Sequence, residues 1–355
     1  MTRALLEALG GKGDRSITHA LNYAIGGLQF GIGKGGGSTI DADVEAVFRA
    51  LELLARRDEW ELAPFVATWN EPQRQHDPFA GRRLKDAIDR ALMSGFDHGL
   101  DDTVRAIVAG EEPPYELAQA RMLDALREIV WLDDPARVSY LSPVVEASDS
   151  SESFRIATLN YDNAVELAAK EIGIDLEQGF EIGETSATPR FPGNGLRLYK
   201  LHGSIDWEEQ RTSLENGFGI ETVEILRHAD PRAVEWSFYR GYEPGLVFGA
   251  GNKLTMEGPF VDLLAHFRAD LLDSDRLTVI GYSFRDTHVN YVLGQWLAAN
   301  AERELRIVDP SWTDHGVWDE QDRFRSGLRS LARSRPENVK VFPMKASEAL
   351  PQLWS

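Results

Sequence analysis

Four short apolar runs in this chain each end in a cluster of small or hydrogen-bonding residues: Asn160-Tyr161-Asp162, His202-Gly203-Ser204, Gly281-Tyr282-Ser283-Phe284 and Asp309-Pro310-Ser311. Of these, His202 has the plainest chemistry. An imidazole with an ordinary pKa of about 6.5 can take a proton from water or a hydroxyl at neutral pH. The neutral amide of Asn160 can orient such a nucleophile without adding charge. Gly203 and Gly281 lack a Cβ and would let a ligand approach the backbone closely. One polar residue after an apolar run is ordinary loop chemistry, and His202 alone reads as a buried, hydrogen-bonded histidine closing a strand. Four such sets together point to a shared site.

Those clusters need a scaffold that brings them to one place. The runs Phe154–Leu159, Leu196–Leu201, Leu246–Phe248, Leu277–Gly281, Leu305–Val308 and Val339–Phe342 read as strands. Amphipathic helices over Asp162–Ile172, Pro259–Leu272 and Asp286–Asn300 separate several of them. Alternation of this kind predicts an α/β fold with a doubly wound, Rossmann-like parallel sheet, in which the carboxyl ends of the strands share one edge and ligands bind just beyond it. Asn160, His202, Ser283 and Asp309 should therefore converge. In the helix after Ser283, Val289, Val292, Leu293 and Trp296 form a stripe facing the sheet, and Asp286 is placed either to N-cap it, the favoured role, or to line the pocket.

The remainder of the chain reads as additions to one domain spanning 1–355. Residues 42–140 are mostly helical, opening on Asp41–Arg57 with Val44, Val47, Phe48, Leu51 and Leu54 at helical spacing. Residues 206–245 have weak periodicity and read as a small cap or insertion near the sheet edge. Before residue 42, a short helical stretch (Thr2–Leu9) runs into Gly10-Gly11-Lys12-Gly13, and a second glycine cluster covers Gly31–Gly37. Both clusters read as loops.

Composition narrows the class of function. With 38 basic and 57 acidic residues, the formal net charge of -19 opposes sequence-independent binding of a polyphosphate backbone. The mildly basic tract Arg323–Arg335 reads as a solvated helix face. None of the 355 residues is cysteine, which excludes a disulfide framework, a zinc-cysteine site and a thiol nucleophile. The eight histidines have no compact metal-ligand spacing, and no Gly-x-Ser-x-Gly elbow is present. No apolar stretch reaches the roughly 20 residues of a membrane helix, and the amino terminus lacks the apolar core of a signal peptide, so a cytoplasmic protein is expected.

Taken in order, Thr158-Leu159-Asn160-Tyr161-Asp162, Leu201-His202-Gly203-Ser204, Val279-Ile280-Gly281-Tyr282-Ser283-Phe284-Arg285-Asp286 and Ile307-Val308-Asp309-Pro310 resemble the ordered motifs of the sirtuin-like NAD-binding domain. The likeness is to the bacterial antiphage-defence branch rather than to the protein deacetylases. It covers about residues 150 to 310, with a looser match at Ile40-Asp41-Ala42-Asp43. The resemblance implies that Asn160 holds a ribose hydroxyl or a water and that His202 is the general base. It implies ribose or phosphate contacts at Gly281 and Ser283, and places Asp309 near the adenosine end. Thr158, Asp162 and Gly203 complete the nucleotide-binding set, Asp162 by bracing the Asn160 loop.

Two departures from the deacetylases shape the implied reaction. The four-cysteine zinc module is absent, and Leu159 stands where deacetylases place glutamine. Both favour hydrolysis of NAD, as substrate and with no zinc, to nicotinamide and ADP-ribose. The implied setting is abortive infection, with possible homo-oligomers or a defence partner such as an ATPase or an Argonaute-like protein. A non-catalytic NAD- or ADP-ribose-binding subunit is the alternative, with lysine deacylation behind it. A third departure is the missing first strand and Gly-Ala-Gly-type loop, which in the family cradle a pyrophosphate at a helix N-terminus. The expectation is that the chain as given begins downstream of that strand.

Overall fold

The computed structural model describes residues 15–31, 44–55, 114–149, 154–193, 195–213, 221–233, 242–246, 258–312 and 323–354. The chain divides into two compact units, Met1–Ile129 with Arg232–Gly241, and Val130–Pro231 with Tyr242–Ser355. In the first unit, α1 (Arg15–Gly31) buries Ile17, Ala20, Leu21, Ala24 and Ile25 along one stripe. It packs against α2 (Val44–Ala55), whose buried Val44, Val47, Phe48 and Leu51 are the residues that the helical spacing singles out. Helix α3 spans Pro114–Val130. The glycine cluster at 10–13, and that at 31–37 apart from Gly31, lie outside the described residues, as does the expected helix over Thr2–Leu9.

The second unit carries the strands. In chain order it runs α4 (Ser142–Asp149), β1 (Arg155–Thr158), α5 (Ala164–Ile172), β2 (Leu176–Glu177), β3 (Thr185–Ser186), β4 (Leu196–Lys200), β5 (Gly203–Ser213), β6 (Glu221–Arg227) and β7 (Tyr242–Leu246). It continues with α6 (Pro259–Leu272), β8 (Arg276–Ile280), α7 (Thr287–Ala299), β9 (Glu304–Val308), α8 (Arg323–Ser334), β10 (Val339–Phe342) and α9 (Ala346–Leu353). Two three-stranded sheets are parallel, with orders β1-β4-β2 and β10-β9-β8. The fold is thus the expected α/β class with parallel, Rossmann-like sheets. Strands β1 and β8 are edge strands of their sheets, and among the described residues no strand precedes β1.

Helices α6 and α7 are amphipathic for an identifiable reason. Phe260, Leu263, Phe267 and Leu271 of α6, and Val289, Val292, Leu293 and Trp296 of α7, join Leu305 and Ile307 of β9 in one hydrophobic core. Trp296 is fully buried, and its indole N–H donates to the Ser274 carbonyl at 2.7 Å, so the buried polar edge is satisfied. A smaller cluster of Val138, Val145, Ala168, Ala169 and Leu196 seats α5 against β4.

The third sheet departs from the sequence reading. It is four-stranded and antiparallel, in the order β3-β6-β5-β7. Its long strand starts at Gly203, inside the segment expected to be a loop after a parallel strand. Of the expected strand Leu246–Phe248, only Leu246 is described, as the last residue of β7, which pairs antiparallel with β5. The weak periodicity has a physical cause: over Gly203–Glu208 both faces of β5 are buried. Ile205 and Trp207 face apolar neighbours, while Ser204, Asp206 and Glu208 are buried and neutralised by hydrogen bonds and ion pairs. Alternation between apolar and polar residues therefore does not mark a solvent face here.

Candidate functional site

The turn after β1 is tied down locally. The Thr158 hydroxyl accepts the Asn160 N–H at 3.1 Å, and the Thr158 carbonyl accepts the Leu201 N–H at 3.0 Å. Asp162 accepts the Ala164 N–H at 3.1 Å, an Asx turn that starts α5. Asn163 is buried and clamps the Leu132 backbone, accepting at 2.7 Å and donating at 2.9 Å. Between these anchored neighbours, Asn160 is exposed, so its amide is available to a ligand.

At the end of β4 two buried ionisable residues lie two positions apart. Lys200 is fully buried, and its ammonium donates to the Asp162 carbonyl and to Glu166 Oε1, the latter at 2.8 Å. Burial pushes the Glu166 carboxyl above the usual carboxylate range, against the pull of Lys200. His202 is 7% exposed, and its Nε2 lies 2.8 Å from Asp286 Oδ2. The buried Tyr161 ring sits 6.5 Å from the imidazole, centroid to centroid. A carboxylate accepting from Nε2 keeps the proton there and leaves Nδ1 as the basic nitrogen.

Asp286 also N-caps α7, its Oδ1 accepting the N–H groups of His288 at 2.9 Å and Val289 at 3.1 Å. The cap expected from sequence is present, and the second oxygen of the same carboxylate reaches His202. Sequence reasoning did not pair Asp286 with His202. The two are 84 residues apart, and the contact exists only because the carboxyl ends of β4 and β8 come together.

The loop between β8 and α7 is held in an unusual backbone shape. Gly281 has φ +64° and Phe284 has φ +60°, the latter in the left-handed region that costs a bulky L-residue about 1–2 kcal/mol. Compensation is visible around it. The Phe284 ring is buried against Tyr282, Trp312 and Phe324, and its carbonyl accepts from Asn290 Nδ2 at 2.7 Å. The Tyr282 hydroxyl donates toward the Asp286 carbonyl at 3.1 Å and Asn290 Oδ1 at 3.0 Å. Burial, with the Asp286 charge beside it, pushes the Tyr282 hydroxyl up, so it remains a neutral donor. Ser283 is exposed at the loop's crest, and a Cβ built on Gly281 would meet open space.

Two of the residues expected to contact a ligand, Gly203 and Asp309, have close protein neighbours. A Cβ on Gly203, which has φ +81°, would lie 1.9 Å from the Gly245 carbonyl oxygen. Gly203 therefore lies in close approach to the backbone of β7. Asp309, 7% exposed, accepts from the Ser311 N–H and hydroxyl at 2.8 and 2.7 Å and pairs with Arg325 at 2.6 Å. Arg325 and Arg329 in turn lie over the Trp312 ring, at 5.1 and 5.6 Å from its centroid. The tract Arg323–Arg335, read from sequence as a solvated face, thus supplies the partner of Asp309. Its signal was the Phe324, Leu328 and Leu331 spacing, which commits one side of α8 to the core.

The structure therefore brings His202 and Asp286 into contact, seats Asn160 on a braced turn on the strand paired with β4, and leaves Gly281 and Ser283 open. Among the described residues, no cluster of three or more His, Cys, Asp or Glu could hold a metal ion, and no helix is long and apolar enough to cross a membrane. Residues 155–317 match the family model described as SIR2-like domain. That span begins at the first residue of β1 and includes all four strand-end clusters. No curated protein matches the chain.

Proposed function

Because the chain carries a SIR2-like domain over residues 155–317, and such a domain implies NAD-related chemistry, we propose that it is an NAD glycohydrolase releasing nicotinamide and ADP-ribose. The observation that carries this reading is the buried His202–Asp286 pair on the strand beside the exposed Asn160. The residues fit a dinucleotide: Gly281 leaves room where a Cβ would stand, and Ser283 offers an exposed hydroxyl beside it.

Bound NAD supplies a glycosidic carbon whose leaving group, a cationic pyridinium, departs as neutral nicotinamide. No acid is needed on that side. Asn160 holds and orients the attacking water. His202, with its Nε2 proton committed to Asp286, accepts the water proton on Nδ1 as the new carbon–oxygen bond forms. A positioned base of this kind contributes about 10²- to 10⁴-fold. The electron pair of the broken carbon–nitrogen bond stays with nicotinamide, and the hydroxyl stays with ADP-ribose.

The absence of any cysteine, and Leu159 in place of glutamine, support water rather than acyl-lysine as the acceptor. On this reading the cellular role is antiphage defence through NAD depletion, by the chain alone, as a homo-oligomer or beside a defence partner. The test is product identity. Incubation with NAD and an acetyl-lysine peptide should yield nicotinamide and free ADP-ribose with the peptide unchanged. Formation of O-acetyl-ADP-ribose with loss of the peptide acetyl group would replace hydrolysis by deacylation.

A further inference from the structure

Lys200 is the most deeply buried charge in the described chain, at 0% exposure, and hydrolysis as derived above gives it no role. Lysine is almost never fully buried unless paired. Here the ammonium donates to the Asp162 carbonyl and, at 2.8 Å, to Glu166 Oε1. Replacing a buried ion pair by apolar residues of similar volume is often neutral or stabilising, so fold stability alone does not call for this pair. Its position suggests what it does. Asp162 lies two residues after Asn160 on the turn leaving β1, and Lys200 lies two residues before His202 at the end of β4. The two strands are parallel neighbours, with Thr158 opposite Lys200.

We propose that Lys200 is a positioning residue that fixes the Asn160 turn relative to His202. The inference rests on the hydrolase reading for its catalytic consequence, but its geometry does not. Two backbone bonds already pin the turn at its ends, Leu201 N–H to Thr158 O and Ile205 N–H to Tyr161 O, both 3.0 Å. The Lys200 ammonium adds a third, from a side chain rooted in the strand that carries His202. Through Glu166 it ties the same turn to the first helical turn of α5. Asn160 and His202 are thereby set by one rigid unit rather than by two independent loops. A displacement of about 1 Å between groups that must act on the same water can cost about 10²-fold in rate.

The test is the double variant Lys200→Met with Glu166→Gln, which removes both charges and leaves no uncompensated one. Three readouts apply: thermal melting, steady-state nicotinamide release, and backbone hydrogen exchange over residues 159–163. A folded variant with kcat lowered about 10²-fold, KM nearly unchanged and faster exchange confined to the turn is expected. A folded variant with parental kcat, or with lowered kcat but parental exchange, overturns the proposal. If the parent releases no nicotinamide, the hydrolase reading fails and hydrogen exchange alone decides: faster exchange at the turn supports the strut, unchanged exchange refutes it. Should the double variant not fold, Lys200→Arg moves the donors along a longer side chain without losing charge, and the same readouts and deciding results apply.

Discussion

One carboxylate, that of Asp286, serves two elements. Its Oδ1 caps α7 and its Oδ2 holds His202. The two roles separate by substitution. Asparagine caps a helix about as well as aspartate, so Asp286→Asn should melt near the parent, yet lose the charge that fixes the imidazole proton on Nε2. Nicotinamide release should fall by about 10²-fold or more. Asp286→Ala should show the same loss of rate together with a lower melting temperature, the lost cap costing about 1 kcal/mol. Equal rates for Asp286→Asn and the parent would assign Asp286 to the cap alone. Sequence made His202 and the cap visible separately, because each has a local signature. Their contact has none, since it depends on the meeting of two strand ends far apart in the chain. The same limit applied at Asp309: nothing local to β9 announces that α8 folds back and pairs Arg325 with it.

Among the elements, helices α6 and α7 were legible because apolar periodicity maps onto burial, and the parallel strands because short apolar runs alternate with those helices. Helix α6 was expected over Pro259–Leu272 and occupies those residues. The antiparallel sheet was not legible, because Ser204, Asp206 and Glu208 are inward-facing and satisfied by ion pairs rather than by water. The two glycines with positive φ at strand ends divide along the same line. Gly203→Ala drives a Cβ into the Gly245 carbonyl and should force β5 and β7 apart, at a cost of about 3 kcal/mol. Gly281→Ala meets open space and should cost only about 1–2 kcal/mol of backbone strain, while raising KM for NAD by crowding the loop crest. Denaturant melts and KM measurements on the pair check both halves; a larger stability loss at Gly281 than at Gly203 would reverse the assignment.

The sheet β8-β9-β10 also sets a pH response. Partial burial raises the Glu304 carboxyl, but hydrogen bonds from Arg306 and Lys340, and their charges, outweigh it and hold it below its ordinary 4.5. A depressed folded pKa gives stability that is present above the unfolded pKa and lost as pH falls through the folded one. Stability should therefore decline below about pH 4.5, and Glu304→Gln should flatten that decline. An unchanged acid limb in urea melts across that range would show that Glu304 does not contribute to it.

At the scale of the whole molecule, a net charge of -19 makes a polyphosphate an unfavourable partner, whereas the proposed dinucleotide would need only a local, neutral cradle, the role proposed for Gly281 and Ser283. In the second unit, two parallel sheets end in four polar clusters, and the core residues described there pack the strands against their covering helices. The segment that matches the SIR2-like model was legible from the order of its motifs, more than from any one of them, because order along the chain reports topology and topology reports which ends converge. The roles inside the site were less legible, since they depend on which polar atoms the fold itself consumes.

The most direct measurement is a time course of nicotinamide release from NAD by the purified chain beside its Asn160→Ala and His202→Ala variants. The account predicts release by the parent and a loss of about 10²- to 10⁴-fold in each variant. Release that is indifferent to both substitutions, or no release from the parent, would contradict it.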